Sequence, residues 1–400
     1  MISLGSEAGN MCIMPRRLLR MFRKLLFFAT ILFLTASVSE RIARAQLLPL
    51  EKVPEDHSSP MYRNNLQHTG VLYTQGVPVL NGPKWKFRTW KATCVESTPA
   101  VVDSVVYIGN GAGFLYALHK ETADIIWEFR ADGFFNSSPA VADGVVYVGC
   151  GDGHLYAIDA RTGQEKWKFK TGAPVYSSPA IYDGLVYFGS NDVYFYAVDI
   201  GTGEMKWRYE TADMVTSSPA VDNNIVYFGS HDGVLYALEA KTGEEKWKFL
   251  TGLRIFGSPV VANDVVYIGS RDRCLYAIGA DTGMEIWRFE TGNKINTSPA
   301  VHNGVVYFGS NDYHLYAVDA ETGREKWKFR VLWTTVESSP TVVDGIVYFG
   351  SGDKYLRAIS AETGEQIWRF KSDNRIYSSP VVLDGVVYFG CWDGYVYALH

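Results

Sequence analysis

The sequence has no CxxC step, no HExxH, no phosphate-binding GxxxxGK[ST] loop and no Ser-His-Asp order, and its eight histidines are scattered. Those gaps remove the usual signatures of zinc hydrolases, P-loop nucleotide enzymes and triad hydrolases. Cysteine is scarce, five in 400 residues, and beyond the N-terminal region only Cys94, Cys150, Cys274 and Cys391 occur. An oxidising compartment would permit their pairing, but spacings this wide do not read as a zinc site. No stretch reaches the roughly 20 consecutive apolar residues that a membrane-spanning helix needs. Beyond residue 45 no sustained 3.6-residue period appears, which argues against a helical fold. Positive charge is also lacking: 38 Lys and Arg face 43 Asp and Glu. Residues 1–45 carry seven of the basic side chains and two acids, so the remainder stands near −10. A nucleic-acid partner would call for the opposite sign.

What is present is aromatic residue and glycine: 25 Tyr, 21 Phe, 11 Trp and 38 Gly. That mixture suits many short strands joined by tight turns. The N-terminus reads as an export signal. Arg16, Arg17, Arg20, Arg23 and Lys24 precede an uncharged, mostly apolar run from Leu25 to Val38, and Ala43-Arg44-Ala45 has the small-x-small pattern of a cleavage site. No Cys follows the run to take a lipid. The expectation is a signal peptide over 1–45, removed to leave a periplasmic or secreted protein without a stable membrane span. An irregular arm is expected over 46–82, where Pro54, Pro60 and Pro78 interrupt any period.

From residue 83 onward a repeat organises the chain. Trp85, Trp127, Trp167, Trp207, Trp247, Trp287, Trp327 and Trp368 recur at intervals of 40 to 42 residues, and eight Ser/Thr-Pro steps run between them. One unit, SSPAVADGVVYVGCGDGHLYAIDARTGQEKWKFK, spans 137–170. SPAVAD reads as a first strand (A) with Pro at its entrance, where a missing N–H costs least. Asp143-Gly144 turns the chain into strand B, VVYVG, and the segment around Gly153 forms a hairpin into strand C, HLYAID. Thr162-Gly163 turns into strand D, EKWKFK, whose alternation suits one buried and one wet face. Four antiparallel strands per 40 residues is the arithmetic of a β-propeller blade. The last repeat stops after its third strand at His400, while Lys84-Trp85-Lys86-Phe87 stands alone before the first repeat. Pairing the two predicts an all-β, eight-bladed β-propeller over 83–400, closed by the N-terminal strand entering the last blade, which leaves no open edge.

The run Ala157-x-Asp159-x-x-Thr162-Gly163-x-x-x-Trp167 resembles the tryptophan-docking motif of the pyrroloquinoline-quinone (PQQ) repeat family, which includes quinoprotein alcohol dehydrogenases and the non-enzymatic BamB-like propellers. It recurs intact at Ala197-Asp199-Thr202-Gly203-Trp207 and Ala317-Asp319-Thr322-Gly323-Trp327. Glu239, Gly279 and Ser360 replace its Asp in three units, and His119 and Ala123 depart from it in blade 1. The segment from Met61-Tyr62-Arg63 to His68-Thr69-Gly70 resembles the family's lead-in. The resemblance implies that the eight repeating Trp residues are structural and dock between blades. Resemblance to the dehydrogenases would further imply PQQ with Ca²⁺ in the axial channel and an adjacent Cys-Cys pair, and this chain has no Cys-Cys step. Asp152, Asp232 and Asp312 recur in the same hairpin and read as turn chemistry rather than calcium ligands. The reading is therefore an exported, monomeric, non-enzymatic binding or scaffold propeller that requires no cofactor. It would bind cell-envelope proteins or a small ligand. The alternatives are a PQQ-dependent quinoprotein oxidoreductase and a small-ligand sensor.

The turns indicate where binding would lie. The A–B and C–D turns share one face and are monotonous, whereas the B–C hairpins and D–A crossings share the other face and vary. The only Trp residues outside the period, Trp90, Trp333 and Trp392, fall on this variable face in neighbouring blades. They are expected to form one aromatic sector rimmed by Glu96, Glu337 and Tyr377, with Arg254, Arg271 and Arg273 on blade 5 away from it. Aromatic residues flanked by charge are the usual make-up of a binding hot spot.

Overall fold

A computed structural model describes residues 58–332 and 334–400. The expected signal peptide over 1–45 and Trp333 lie outside the described residues. The described residues form eight sheets in a ring, each a blade of four antiparallel strands. Blade 2 shows the pattern: A, Ala140–Ala142; B, Val145–Gly149; C, His154–Asp159; D, Glu165–Lys170. Blades 1 to 7 span 100–130, 140–170, 180–210, 220–250, 260–290, 300–330 and 341–371. Strand B is buried along its length in blade 2 and strand C is buried except at its ends. Both faces of these strands meet a neighbouring blade, so their sequences run apolar rather than alternating. Strand D, outermost, alternates between half-buried and exposed positions. Its register against strand C shifts at a bulge between Glu165 and Trp167. A bulge re-aims the side chains beyond it, and the same shift precedes Trp207 and Trp247.

The indoles join the blades. Trp207 Nε1 donates to the Ala240 carbonyl of the next blade at 3.0 Å. Its ring lies beneath Gly243, where φ is +75° and a Cβ would stand 2.7 Å from the indole. A glycine here suits both the turn and the close approach, although Ala123 holds the matching position in blade 1 at φ 63°. The same bond runs from Trp127 to Ala160, Trp167 to Ile200, Trp247 to Ala280, Trp287 to Ala320 and Trp327 to Ala361. Trp85 reaches Lys120 in this way. Trp368 is the variant case. The blade it faces has no continuous C–D turn, and its indole donates instead to Val77 of the arm at 2.6 Å.

The ring closes between chain ends. Blade 8 comprises Val381–Leu383, Val386–Gly390 and Tyr395–Leu399, with Pro83–Arg88 as its fourth strand. Trp85 pairs with Ala398 and Phe87 with Val396, and Asn81 N–H donates to the His400 carbonyl at 2.6 Å.

The described part of the arm, 58–82, is more ordered than its lack of period suggests. It winds past the inner strands and accepts their free N–H groups in turn. The Pro60 carbonyl takes Val141 N–H, Leu66 takes Val221, Gln67 takes Val261, Thr69 takes Val301 and Gly70 takes Val342. Val71–Leu72 then pairs parallel with Val342 and Val343, giving blade 7 a fifth strand. Buried backbone donors at strand edges require partners, and the arm supplies carbonyls for them. The Arg63 guanidinium donates to the carbonyls of Pro299 and Pro340. Burial, followed by the charge of Arg63, lowers the pKa of His68 to about 3, which keeps the imidazole neutral.

Two outcomes follow from this architecture. Trp207→Ala should destabilise the protein by about 3 kcal/mol, the lower end for emptying a buried aromatic site because this ring is only half-buried. Chemical denaturation beside the parent measures it, and a change within about 0.5 kcal/mol would mark a surface residue. Deletion of residues 83–88 should lower the unfolding temperature and promote self-association through the exposed edge of Tyr395–Leu399. A deletion protein that stays monomeric with the parent's unfolding temperature would disprove the closure.

Candidate functional site

At the entrance of each strand A, the residue before the proline carries a hydroxyl that faces the axis. Thr98 N–H donates to Ser138 Oγ at 3.0 Å, Ser138 N–H to Ser178 Oγ at 2.9 Å, and the relay continues through Ser218, Ser258, Ser298 and Ser339 to Ser379. A second set of bonds lies beside it, in which Ser378 Oγ donates to the Ser97 carbonyl at 2.9 Å across the junction of blades 8 and 1. These hydroxyls, with Tyr62 from the arm, line an axial funnel of about 560 Å³ that opens on the face of the B–C hairpins and D–A crossings. Tyr62 Oη lies 3.0 Å from Ser298 Oγ and 3.3 Å from Ser339 Oγ.

The wall above this floor comes from the crossings two residues further out. Glu96, Asn136, Tyr176, Phe256, Asn296, Glu337 and Tyr377 line it, joined by Arg271, Lys294 and Trp392. The wall is polar in the electrical sense: carboxylates stand on the crossings into blades 1 and 7, cations on blades 5 and 6. Asn136 Nδ2 donates to Glu96 at 2.8 Å, and Asn311 Nδ2 to Glu337 at 3.4 Å. Burial pushes the Glu96 carboxyl up, the indole of Trp392 opposes that rise, and the negative charge of Glu337 adds to it. The Trp392 N–H is itself buried and has no partner at hydrogen-bond distance, so its effect on Glu96 is one of proximity. Its ring meets Tyr377 edge-on at 5.0 Å between centroids. Across the funnel the Arg271 guanidinium lies 3.8 Å from the Phe256 ring centroid, and His231 stacks on the same ring at 4.0 Å. Arg271 Nε donates to Asn296 at 3.2 Å. Burial and the charge of Arg254 lower the pKa of Arg271, while Glu337 raises it.

Of the residues singled out from the sequence, Glu96, Glu337, Tyr377, Trp392 and Arg271 meet in this funnel. Arg271 thus faces the same space as the acidic sector instead of lying apart from it, because a ring turns opposite blades toward one axis. Trp90 is not part of the lining. Its crossing packs on the hairpin that bears Trp392, where a Cβ on Gly394 would stand 2.3 Å from Ala92. The short turn Trp90–Ala92 sends the indole outward, 58% exposed and 6.1 Å from Phe114. Arg254 pairs with Asp213 at 3.6 Å and Arg273 with Glu290 at 2.9 Å, both outside the lining. Lys294 and Tyr62 were missed. Lys294 sits on a variable crossing, so its position was an available signal, whereas nothing in the arm's sequence points Tyr62 at the axis.

The hairpin aspartates are occupied within their own blades. Asp152 accepts from Tyr156 Oη at 2.6 Å and from His154 N–H at 3.0 Å, and Asp232 accepts from Tyr236 Oη at 2.8 Å. Cys94, Cys150, Cys274 and Cys391 are free thiols. PQQ with Ca²⁺ would need six to eight oxygen ligands around the cation. The funnel's carboxylates are two, each already accepting an amide, and among the described residues no three His, Cys, Asp or Glu are grouped to hold a metal. The side chains present do not fit that pair.

Comparisons with known proteins agree on the architecture. The family model for outer membrane protein assembly factor BamB matches residues 231–335 and 330–400. The model for the β-propeller of the beta-alanine-activating enzyme matches 92–270. Comparison with the curated proteins finds no match. Among solved structures, BamB from Moraxella catarrhalis superposes with a TM-score of 0.71 at 21% identity, over 80% of this chain and 100% of that one. The computationally designed Ika8 protein gives 0.70 at 18%, over 77% and 96%. The quinohemoprotein alcohol dehydrogenase ADHIIG from Pseudomonas putida HK5 gives 0.75 at 18%, over 86% and 80%. The chain is an eight-bladed β-propeller that resembles the PQQ-repeat and BamB-like folds, and at these identities the likeness establishes the fold alone.

The electrostatics of the wall are directly measurable. In a carboxyl NMR titration Glu96 should titrate above the ordinary glutamate range. Glu337→Gln should bring it down by removing a like charge, and Trp392→Phe should raise it further by removing the indole N–H. Stability contributed by the protonated Glu96 is present below its unfolded pKa and is lost as pH rises through the raised folded value.

Proposed function

We propose that the protein is an exported, non-enzymatic binding propeller of the cell envelope, working as a monomer through the funnel face. The observation that carries this reading is the asymmetry of the two faces. One consists of repeated turns of Asp-Gly or a near relative and Thr-Gly, while the other gathers Trp392, Tyr377, Glu96, Glu337, Arg271 and Lys294 around one opening. Concentrated aromatic and charged groups at a concave centre suit recognition. The match to the BamB model and the export reading of residues 1–45 support an envelope protein as partner.

The test is capture of envelope proteins by the purified protein and by two variants. Trp90→Ala combined with Trp392→Ala should retain the parent's circular dichroism and lose at least about tenfold in captured partner, equivalent to about 1.4 kcal/mol. Lys241→Ala, in a C–D turn on the opposite face, should capture as the parent does. Undiminished capture by the folded double variant would reject the funnel face as the binding surface.

A further inference from the structure

The funnel holds charge of both signs that is not joined in direct ion pairs. Arg271 and Lys294 make no ion pair among the described residues, and neither do Glu96 and Glu337, although all four border one cavity. Other cations in the same hairpins and crossings do find carboxylates, as Arg254 and Arg273 show. The four side chains are half-buried in an open funnel. Glu96, on the crossing into blade 1, stands across the ring from Arg271 on blade 5, while Glu337 is near enough to raise the pKa of Arg271. Unpaired charges of both signs thus border one space. A simple anion would satisfy Arg271 and Lys294 while facing the repulsion of two carboxylates. A simple cation meets the converse problem. A molecule that carries an ammonium at one end and a carboxylate at the other satisfies both walls at once.

Two further features narrow the class. Trp392 and Tyr377 stand on the acidic side, and aromatic faces beside carboxylates are a favourable setting for an ammonium group. The Trp392 N–H lies near enough to Glu96 to hold its carboxyl down yet makes no hydrogen bond of its own, so an amide carbonyl between the two charged ends would supply one. The cavity of about 560 Å³ falls in the range of small-molecule sites. We infer that the funnel is a binding site for a short peptide with free ends, its ammonium toward Glu96 and Glu337 and its carboxylate toward Arg271 and Lys294. Protein recognition by the rim does not require this, so the two readings fail separately.

The probes are alanine, di-alanine and tri-alanine, titrated calorimetrically into the full-length protein. At least one should bind, and acetylating its amine or amidating its carboxylate should each weaken binding by about tenfold or more. Glu337→Gln and Arg271→Gln should each do the same for the free form, with folding verified by circular dichroism. The blocked-end comparison uses only the parent protein and so stands even if a variant misfolds. No binding by any of the three probes, or equal binding of free and blocked forms, overturns the inference. A protein still captured through Trp392 in that case would leave the envelope-binding reading intact.

Discussion

The structure depends on one repeated contact, an outer-strand indole seated against the next blade's C–D turn, under its glycine in six of the eight cases. Each such ring meets three demands together. It covers apolar surface between two sheets, its N–H satisfies a turn carbonyl, and a bulge in its own strand aims it there. Because the contact joins blade to blade, the ring is stable only when no blade is left unmatched. Trp368 shows the rule under strain, since the blade it meets has no continuous C–D turn and Val77 of the arm provides the carbonyl.

The axis raises a second constraint. Eight inner strands end around a central opening, and each leaves backbone donors without a sheet neighbour. The arm from Ser59 to Leu72 meets several of these donors with its carbonyls, and the hydroxyls at the strand entrances tie successive blades together. Together they give the funnel a rigid polar floor. The side chains above it sit on short crossings fixed at both ends by strands, an arrangement that holds charged groups in place more firmly than long loops would.

The funnel's character comes from departures within the repeat. Most hairpins and crossings carry small or polar residues, so a Trp at 392, a Glu at 96 and 337, and an Arg at 271 alter the chemistry of a shared space. Convergence on the axis multiplies the effect. Groups that lie far apart in the chain, such as Glu96 and Glu337, come close enough for one to raise the pKa of the other.

The tryptophan period, the Asp-Gly and Thr-Gly turns and the split last blade are local patterns, and they determined the eight blades, their strand order and the closure through Pro83–Arg88. They carry that much because each strand's pairing is set by its own turns. The same patterns picked out Glu96, Glu337, Tyr377, Trp392 and Arg271 as departures from the repeat. Which of the singled-out residues share a cavity was a tertiary matter. Trp90 and Trp392 border the same hairpin, yet a three-residue turn sends one outward while the other lines the axis. Arg271 and Glu96 belong to blades on opposite sides of the ring, and only its closure brings them to one cavity. The path of the arm was equally hidden, because its partners are backbone donors of distant blades and such bonds leave no periodic mark on the sequence that makes them.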